Sequence, residues 1–201
     1  LTESPLYGWN TILKRASDIF LSGIAILITL PIMVLIAIVV KLGSRGPLLY
    51  KQERMGLDRD VFIMYKFRSM KIGAENQTGP VWAKKDDDRR TVVGSFLRST
   101  SLDELPQLFN VLMGQMSLVG PRPERPIFVE QFKKSIPFYM HRLKMKAGLT
   151  GWAQVNGWRG NTSLEKRIEF DLYYIKNWSL LFDFKILFLT IWKGLINRHA
   201  Y

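Results

Sequence analysis

Asp103 and Glu104 form an adjacent acid pair in the segment 97–123, LRSTSLDELPQLFNVLMGQMSLVGPRP. Ionised carboxylates can attack phosphorus or bind Mg²⁺, a hard cation that prefers oxygen ligands. The spacing from Ser101 to Glu104 also fits a capping box, in which the acids only satisfy amides at the start of a helix. Pro106 favours a helix that begins at Asp103, because the proline then lies within its first turn. In either arrangement the helix dipole favours the ionised carboxylates.

Several basic residues could serve this acid pair. Arg98 precedes Asp103 by five residues, and Arg122 stands between two prolines. Lys66 and Arg68 lie at the end of a predicted strand. A pyrophosphate repels an anionic nucleophile, so an attack on it requires fixed cations and a divalent ion. Arginine binds phosphate oxygens bidentately and lysine acts as a point charge. The alternative for each residue is an ordinary solvated surface position.

The composition limits the classes of function. The 201 residues suffice for one ordinary domain with its own core. The formal net charge of +12 indicates a polyanionic partner, which is nucleic acid, anionic lipid or a phosphorylated substrate. The chain contains no cysteine, which excludes disulfides, thiolate metal sites and cysteine nucleophiles. Any catalysis must therefore depend on other groups.

The elements that must position these residues begin with an uncharged stretch from Ile19 to Val40. As a helix, this stretch is long enough to cross a hydrocarbon core of roughly 30 Å. Pro31 predicts a break near its middle, since proline removes a backbone hydrogen bond and clashes with the preceding turn. By the positive-inside rule, both ends should be cytoplasmic, because basic residues flank the stretch at Lys14, Arg15, Lys41, Arg45, Lys51 and Arg54. We therefore expect a re-entrant membrane helix broken at Pro31, with a kinked single span as the alternative.

The segments after this stretch predict a small hairpin followed by helices. Residues 48–52 and 61–67 are short β-prone runs, separated by a loop with turn residues. Residues 128–143 predict a surface helix with a break at Pro137. The acidic run at 86–88 could bind a metal, but its basic neighbours favour a self-paired loop.

The C-terminal part predicts two further helices. Thr162 begins a T-S-L-E capping box ahead of an amphipathic helix. Residues 179–196 are very apolar but contain Asp183 and Lys185, so an interfacial helix is preferred to a membrane span. A buried core helix is the alternative. The predicted fold is α+β, mainly helical and membrane-associated (monotopic), with a membrane segment at 1–45 and a catalytic domain at 46–201.

Several blocks of the sequence resemble the bacterial sugar transferase family, the monotopic polyprenyl-phosphate phosphoglycosyl transferases. The blocks cover nearly the whole chain in order and are YKFRSM at 65–70, the segment 97–123, GLTGWAQVNG at 148–157 and FDLYY at 170–174. Ala147 and Arg59 depart from the family pattern, at positions where proline and glycine are usual. Both departures affect the stiffness of loops more than the chemistry.

The resemblance implies a two-step route. Asp103 attacks the phosphate next to the sugar of a UDP-sugar, releases UMP and holds a phospho-sugar that polyprenyl phosphate then takes. Glu104, next to Asp103, is implied as the main protein ligand of Mg²⁺, the expected cofactor. Asp171 is implied to orient a basic partner, and Gln154 and Arg159 to face the nucleotide or sugar. The expected substrate-binding residues are therefore Lys66, Arg68, Arg98, Arg122, Gln154, Arg159 and Asp171.

These substrates imply a site at the cytoplasmic face of the bacterial plasma membrane, because UDP-sugars are cytosolic and polyprenyl phosphate is membrane-bound. We expect membrane lipids but no nucleic acid as partners, and leave a homodimer open. The pattern leans toward glucose- or galactose-phosphate transfer in exopolysaccharide or capsule assembly, and toward the catalytic portion of a longer protein. Two alternatives are a membrane-tethered basic protein that binds anionic lipid or nucleic acid, and a glycosyltransferase that releases UDP.

Overall fold

The computed structural model describes residues 6–74, 79, 89–160 and 162–196 of the chain. The predicted loop at 86–88 and the last five residues lie outside these ranges. The α-helices are α1 (Trp9–Gly43), α2 (Val92–Ser99), α3 (Gln107–Leu112), α4 (Pro126–Ser135), α5 (Trp152–Val155), α6 (Leu164–Lys176) and α7 (Leu180–Ile196). The strands are β1 (Leu49–Met55), β2 (Val61–Phe67), β3 (Ser117–Val119) and β4 (Gly148–Thr150).

The helix α1 contains the long apolar stretch and has 35 residues, which corresponds to about 52 Å. Of the described helices, it is the one long and apolar enough to cross a membrane. The helix continues through Pro31, so the predicted interruption at this residue is not observed. Proline removes a single backbone hydrogen bond, and packing of the neighbouring turns against the rest of the protein retains the helix.

One side of α1 packs against the rest of the protein along nearly its whole length. The buried residues follow a helical repeat and are Lys14, Asp18, Ser22, Met33, Ile36 and Val40. The opposite side exposes large apolar side chains, among them Phe20, Leu27 and Leu35. An apolar surface of this extent marks a membrane or protein contact.

The start of α1 is attached to α7 and to the end of α3 through two basic residues. Lys14 Nζ lies 2.7 Å from Asp183 Oδ2 of α7. The Arg15 guanidinium donates hydrogen bonds of 2.7 Å to the carbonyl oxygens of Val111 and Leu112, where α3 ends. Carbonyl groups in the last turn of a helix lack main-chain partners, and a cation is favourable there.

The end of α1 is attached to the hairpin in the same manner. The guanidinium of Arg68, directly after β2, donates to the carbonyl oxygens of Ser44 at 2.8 Å and Arg45 at 2.9 Å. Arg68 also reaches the Ser44 hydroxyl at 2.8 Å. Both ends of α1 therefore dock on the same body of the protein.

The predicted hairpin is confirmed. Strands β1 and β2 pair antiparallel, from Leu49 opposite Phe67 to Met55 opposite Val61. The side chain of Asn110 on α3 binds this hairpin by accepting from the Tyr65 amide and donating to the Ile63 carbonyl. The end of β2 is thereby fixed relative to α3.

A second, parallel sheet was not predicted. It joins β3 to β4, with Ser117 opposite Gly148 and Val119 opposite Thr150. A close approach of the two chains near Gly120 leaves no room for a Cβ atom at Gly148, where one would lie 2.1 Å from the Gly120 nitrogen. This sheet is the centre of the main core cluster, which includes Met64, Val111, Val119, Val155 and Ile186.

The acid pair does not begin the following helix. Asp103 and Glu104 lie in a 3₁₀ turn over Leu102–Glu104, and α3 begins at Gln107 with Pro106 at its N-cap. Ser101 adopts a left-handed conformation (φ 57°) and its side chain makes no cap hydrogen bond. The favoured helix start at Asp103 is therefore wrong, and the alternative capping box is not observed either. The six-residue helix gives little dipole support, so local cations must determine the charge of the acids.

The remaining helices agree with the predictions except in detail. Helix α4 ends before Pro137, and the chain resumes as a 3₁₀ helix at Tyr139–Lys144. Helix α6 is capped by Ser163 instead of Thr162, with the hydroxyl of Ser163 accepting from the Lys166 amide. Helix α7 buries Ile186 completely and exposes Phe188 and Trp192, so one side of it belongs to the core. The domain boundary at residue 45 stays a prediction.

Candidate active site

Four of the predicted site residues come together around the carboxylate of Glu104. Lys66 Nζ and Arg122 Nη2 each lie 2.7 Å from Glu104 Oε1. Arg122 Nη1 donates to Gln154 Oε1 at 2.9 Å. We call Lys66, Asp103, Glu104, Arg122 and Gln154 the acid-pair cluster. Its members come from β2, the 3₁₀ turn, the loop after β3, and α5.

Asp103 differs from its neighbour because its carboxylate has no hydrogen-bond donor among the described residues. The residue is only 7% exposed. Burial raises the pKa of Asp103 above its ordinary value, and the adjacent Glu104 adds to this, while Lys66, Arg98 and Arg122 oppose the rise. As the pH falls, Asp103 is therefore the first of the two acids to accept a proton.

Glu104 remains ionised over the whole physiological range. Burial alone would raise the pKa of Glu104, but the charges and hydrogen bonds of Arg122 and Lys66 hold it well below the usual range. Two cations that converge on one oxygen can also bind a second anion. The cluster therefore suits a ligand that carries phosphate.

A buried ion pair behind Arg122 was only half foreseen. Asp171 on α6 accepts from Arg142 Nη2 at 2.7 Å and from Nε at 3.1 Å. Arg142 Nη2 also donates to the main-chain carbonyl of Arg122 at 2.8 Å. Burial lowers the pKa of Arg142, but Asp171 and Tyr139 together raise it above its ordinary value, so the guanidinium stays charged. Asp171 is thus bound to a basic residue that also contacts the main chain of Arg122.

A second buried ion pair supports the loop after β3, and the sequence analysis did not identify it. Glu124 Oε1 lies 2.9 Å from Arg167 Nη1, and Glu124 Oε2 lies 3.7 Å from Arg54 Nη1. Arg54 also donates to the carbonyl of Pro123 at 3.2 Å. Burial lowers the pKa of Arg54 to about 10, although Glu124 opposes this change. The only sequence signal was the unusual density of charge around a Pro-Arg-Pro turn.

The other predicted residues lie outside the acid-pair cluster. The guanidinium of Arg68 is buried at the end of α1, so the structure gives its predicted phosphate contact no support. Arg98 lies in the last turn of α2, from which its charge acts on Asp103. Arg159 lies in the loop after α5, partly buried.

Asp103 and Glu104 place two carboxylates side by side, and carboxylate oxygens are ligands that Mg²⁺ accepts. Among the described residues, no group of three or more acidic or histidine side chains could hold a metal. Mg²⁺ typically takes only one or two carboxylates and completes its shell with water and substrate phosphates. Glu104, which is ionised at neutral pH, would be the protein ligand, with Asp103 next to it.

The model of the bacterial sugar transferase family matches residues 9–197. The chain belongs to this family. It is 51% identical to the UDP-glucose:undecaprenyl-phosphate glucose-1-phosphate transferase of Escherichia coli (strain K12), over 100% of this chain and 44% of that protein. It is 46% identical to the UDP-N-acetylgalactosamine-undecaprenyl-phosphate N-acetylgalactosaminephosphotransferase of Aeromonas hydrophila, over 95% of this chain and 45% of that protein.

A shorter relative has almost the same extent as this chain. The exopolysaccharide production protein PSS of Rhizobium leguminosarum bv. phaseoli is 42% identical, over 90% of this chain and 94% of that protein. By contrast, the chain spans less than half the length of the two relatives above. The predicted family is confirmed. The names of these relatives include two different sugars, so the similarity does not decide between them.

Proposed function

We propose that this chain transfers a sugar-1-phosphate from a UDP-sugar to a polyprenyl phosphate and releases UMP. Relatives that match 100% and 95% of the chain are named for sugar-phosphate transfers that involve undecaprenyl phosphate. The observation that carries the proposal is the asymmetry of the acid pair. Glu104 is held by two cations, while Asp103 has no donor among the described residues.

In the first step an oxygen of ionised Asp103 attacks the phosphorus next to the sugar. The bond from this phosphorus to the bridging oxygen of UMP breaks, and UMP leaves with the electron pair. An aspartyl phospho-sugar remains. An acid without hydrogen bonds keeps its lone pairs available, and burial makes its charge less well solvated and therefore more reactive. Lys66 and Arg122 stabilise the negative charge of the phosphates.

In the second step an oxygen of polyprenyl phosphate attacks the same phosphorus. The bond to Asp103 breaks, the carboxylate is regenerated, and the sugar leaves on a polyprenyl diphosphate. Covalent catalysis divides one difficult displacement into two easier ones. Asp171 and Arg142 would keep Arg122 in place during both steps. Gln154 would hold the other side of the Arg122 guanidinium.

Mg²⁺ is part of this proposal, with Glu104 as its protein ligand. When bound, the ion would neutralise part of the charge of the pyrophosphate. Lys66 and Arg122, which both contact Glu104 Oε1, would contribute positive charge for the phosphates beside the ion.

The contacts of α1 support a membrane location in which both of its ends lie on one side. A span would place its ends on opposite sides of a bilayer, but both ends of α1 dock on the same body. The exposed side of the helix is apolar along its length. We propose that α1 enters the hydrocarbon from the cytoplasmic face of the bacterial plasma membrane without crossing it, with α7 at the interface.

The rival basic binding protein receives less support. Several of its cations form internal contacts and do not present a continuous basic surface. These are Lys14, Arg15, Arg68, Arg142 and Arg167. The transfer of a sugar without its phosphate remains the second rival, and its product would be UDP.

The test uses the membrane-reconstituted protein with UDP-glucose or UDP-N-acetylgalactosamine and Mg²⁺. Without acceptor, the intact mass should increase by one sugar phosphate, and Asp103→Asn should abolish the increase. With undecaprenyl phosphate, the released nucleotide should be UMP. The control is Asp58→Asn, at an exposed acid paired with Lys144, which should behave like the wild type. Release of UDP would refute the proposal.

A further inference from the structure

An apolar groove of about 330 Å³ lies between the second half of α1, the hairpin and α3. Side chains from all three elements line it, including Val34, Ala37, Tyr65, Phe67, Pro106 and Phe109. Val34 is 51% exposed and Phe109 is 40% exposed, so the groove is open toward the apolar side of α1. A ligand could therefore enter from the hydrocarbon phase.

One end of the groove adjoins the acid pair through the main chain. Pro106 lies in its wall two residues after Glu104. Leu102 and Leu105, which flank the two acids, pack into the same apolar cluster as Met33 and Phe67 of the groove. The groove and the acid pair thus share one continuous apolar support.

The alternation of β2 places cations next to this apolar wall. Tyr65 and Phe67 line the groove, while Lys66 between them points to the other face of the strand, where its Nζ contacts Glu104. Arg98 and Arg122 add positive charge at the acids. A molecule with a long apolar chain and an anionic head complements both parts, whereas a UDP-sugar has no group that suits the groove.

We propose that this groove binds the first isoprene units of the acceptor lipid and directs its phosphate toward Asp103. This inference rests on the proposed function. The cavity volume is near the lower end of small-molecule sites, which are roughly 300–1,000 Å³. It therefore takes a short segment of chain, and the rest of the polyprenyl tail stays in the bilayer.

The test compares two adjacent positions on α1. Val34→Trp narrows the groove, whereas Leu35→Trp adds the same bulk at a residue that is 63% exposed and does not line the groove. Both positions are open enough to accept tryptophan in a folded protein. In Val34→Trp, the KM for undecaprenyl phosphate should rise about tenfold because apolar contact area is lost. The mass adduct formed from the UDP-sugar alone should be unchanged, and Leu35→Trp should match the wild type.

A binding readout separates this inference from the proposed reaction. Farnesyl phosphate with a photoreactive group on its first isoprene unit should crosslink to groove residues in the wild type and much less in Val34→Trp. Crosslinking outside the groove, or equal KM values for the two variants, would overturn the inference even if transfer occurs. Groove crosslinking without transfer would leave the inference standing and refute the function.

The preference of the groove for an isoprenoid tail is tested with an acceptor whose tail is saturated. If the groove selects an isoprenoid, farnesyl phosphate should be used at least about tenfold more efficiently than hexadecyl phosphate. The advantage should decrease in Val34→Trp and persist in Leu35→Trp. Equal use of the two acceptors by the wild type would mean that the groove holds any alkyl chain and does not select an isoprenoid.

Discussion

Two buried charge clusters of this protein each contain a lysine and an aspartate, but they differ in how completely the aspartate is hydrogen-bonded. At the start of α1, Asp183 accepts from Lys14, from the Tyr174 hydroxyl at 2.6 Å and from the Trp178 ring nitrogen at 3.2 Å. We call these four residues the anchor cluster. Both oxygens of Asp183 are bonded, whereas the carboxylate of Asp103 has no donor in the described part of the chain.

This difference indicates that the first cluster stabilises the fold and that the second takes part in the reaction. A buried charge with all of its partners contributes to a specific packing, and the loss of one partner strands the other. A buried charge without hydrogen bonds costs folding free energy and is retained where it reacts. Substitutions in the anchor cluster should therefore mainly lower the free energy of unfolding, and substitutions in the acid-pair cluster should mainly lower turnover.

The largest expected effect follows from Asp103→Asn. Turnover should fall on the order of 10⁴-fold or more, because the nucleophile is lost. The Tm at neutral pH should rise by about 2–4 °C, since the variant no longer buries an ill-solvated charge. Rates of transfer and thermal unfolding curves measure the two effects.

The difference in Tm between Asp103→Asn and the wild type should depend on pH. Because the pKa of Asp103 is raised in the folded state, its stabilising contribution is present at low pH and is lost as the pH rises through that pKa. The gain in Tm of Asp103→Asn should therefore disappear on acidification, and wild-type turnover should fall in the same pH range. A lower Tm of the variant at neutral pH would show that Asp103 is structural.

The second effect should come from Lys14→Met in the anchor cluster. The substitution strands the buried Asp183, which should cost about 3–5 kcal/mol in the free energy of unfolding. The folded fraction should keep its KM for UDP-sugar, because Lys14 lies outside the acid-pair cluster. Denaturant titration in detergent measures the loss, and addition of Asp183→Asn should restore part of it. A KM defect in the folded fraction would contradict the separation of the two clusters.

A smaller effect should follow from Arg68→Gln, directly after the strand that carries Lys66. The variant loses the charged hydrogen bonds to the end of α1, each worth about 1.5–3 kcal/mol at most, and part of this is replaced by the amide. Unfolding should begin at lower denaturant concentration. The KM for UDP-sugar should stay at the wild-type value, while Lys66→Met should raise it. If Arg68→Gln raises the KM as Lys66→Met does, Arg68 binds phosphate after all.

Lys66 and Arg68 also mark how far the sequence leads. Local patterns predicted the hairpin and α6, and the matching blocks predicted the family. The two basic residues nevertheless look equivalent in the sequence, and only the position of the end of α1 makes Arg68 a cap. The sheet of β3 and β4 escaped prediction because each strand has three residues and its pairing is distant in the chain. Arg142 was missed for the same reason, since its partners lie on separate elements.

The smallest expected effect concerns α6, which carries Tyr174 of the anchor cluster and also Asp171, whose partner Arg142 binds the main chain of Arg122. Ser163→Ala removes the cap and should cost about 1 kcal/mol, measured by denaturant titration. Thr162→Ala, at the position that the sequence favoured, should change the free energy of unfolding by much less. The cap stabilises α6 as a whole and no single side chain on it in particular. Turnover and KM should therefore shift little in either variant. If Ser163→Ala lowers turnover far more than the free energy of unfolding, α6 moves during the reaction. In that case it holds Arg142 in place only while its first turn is intact.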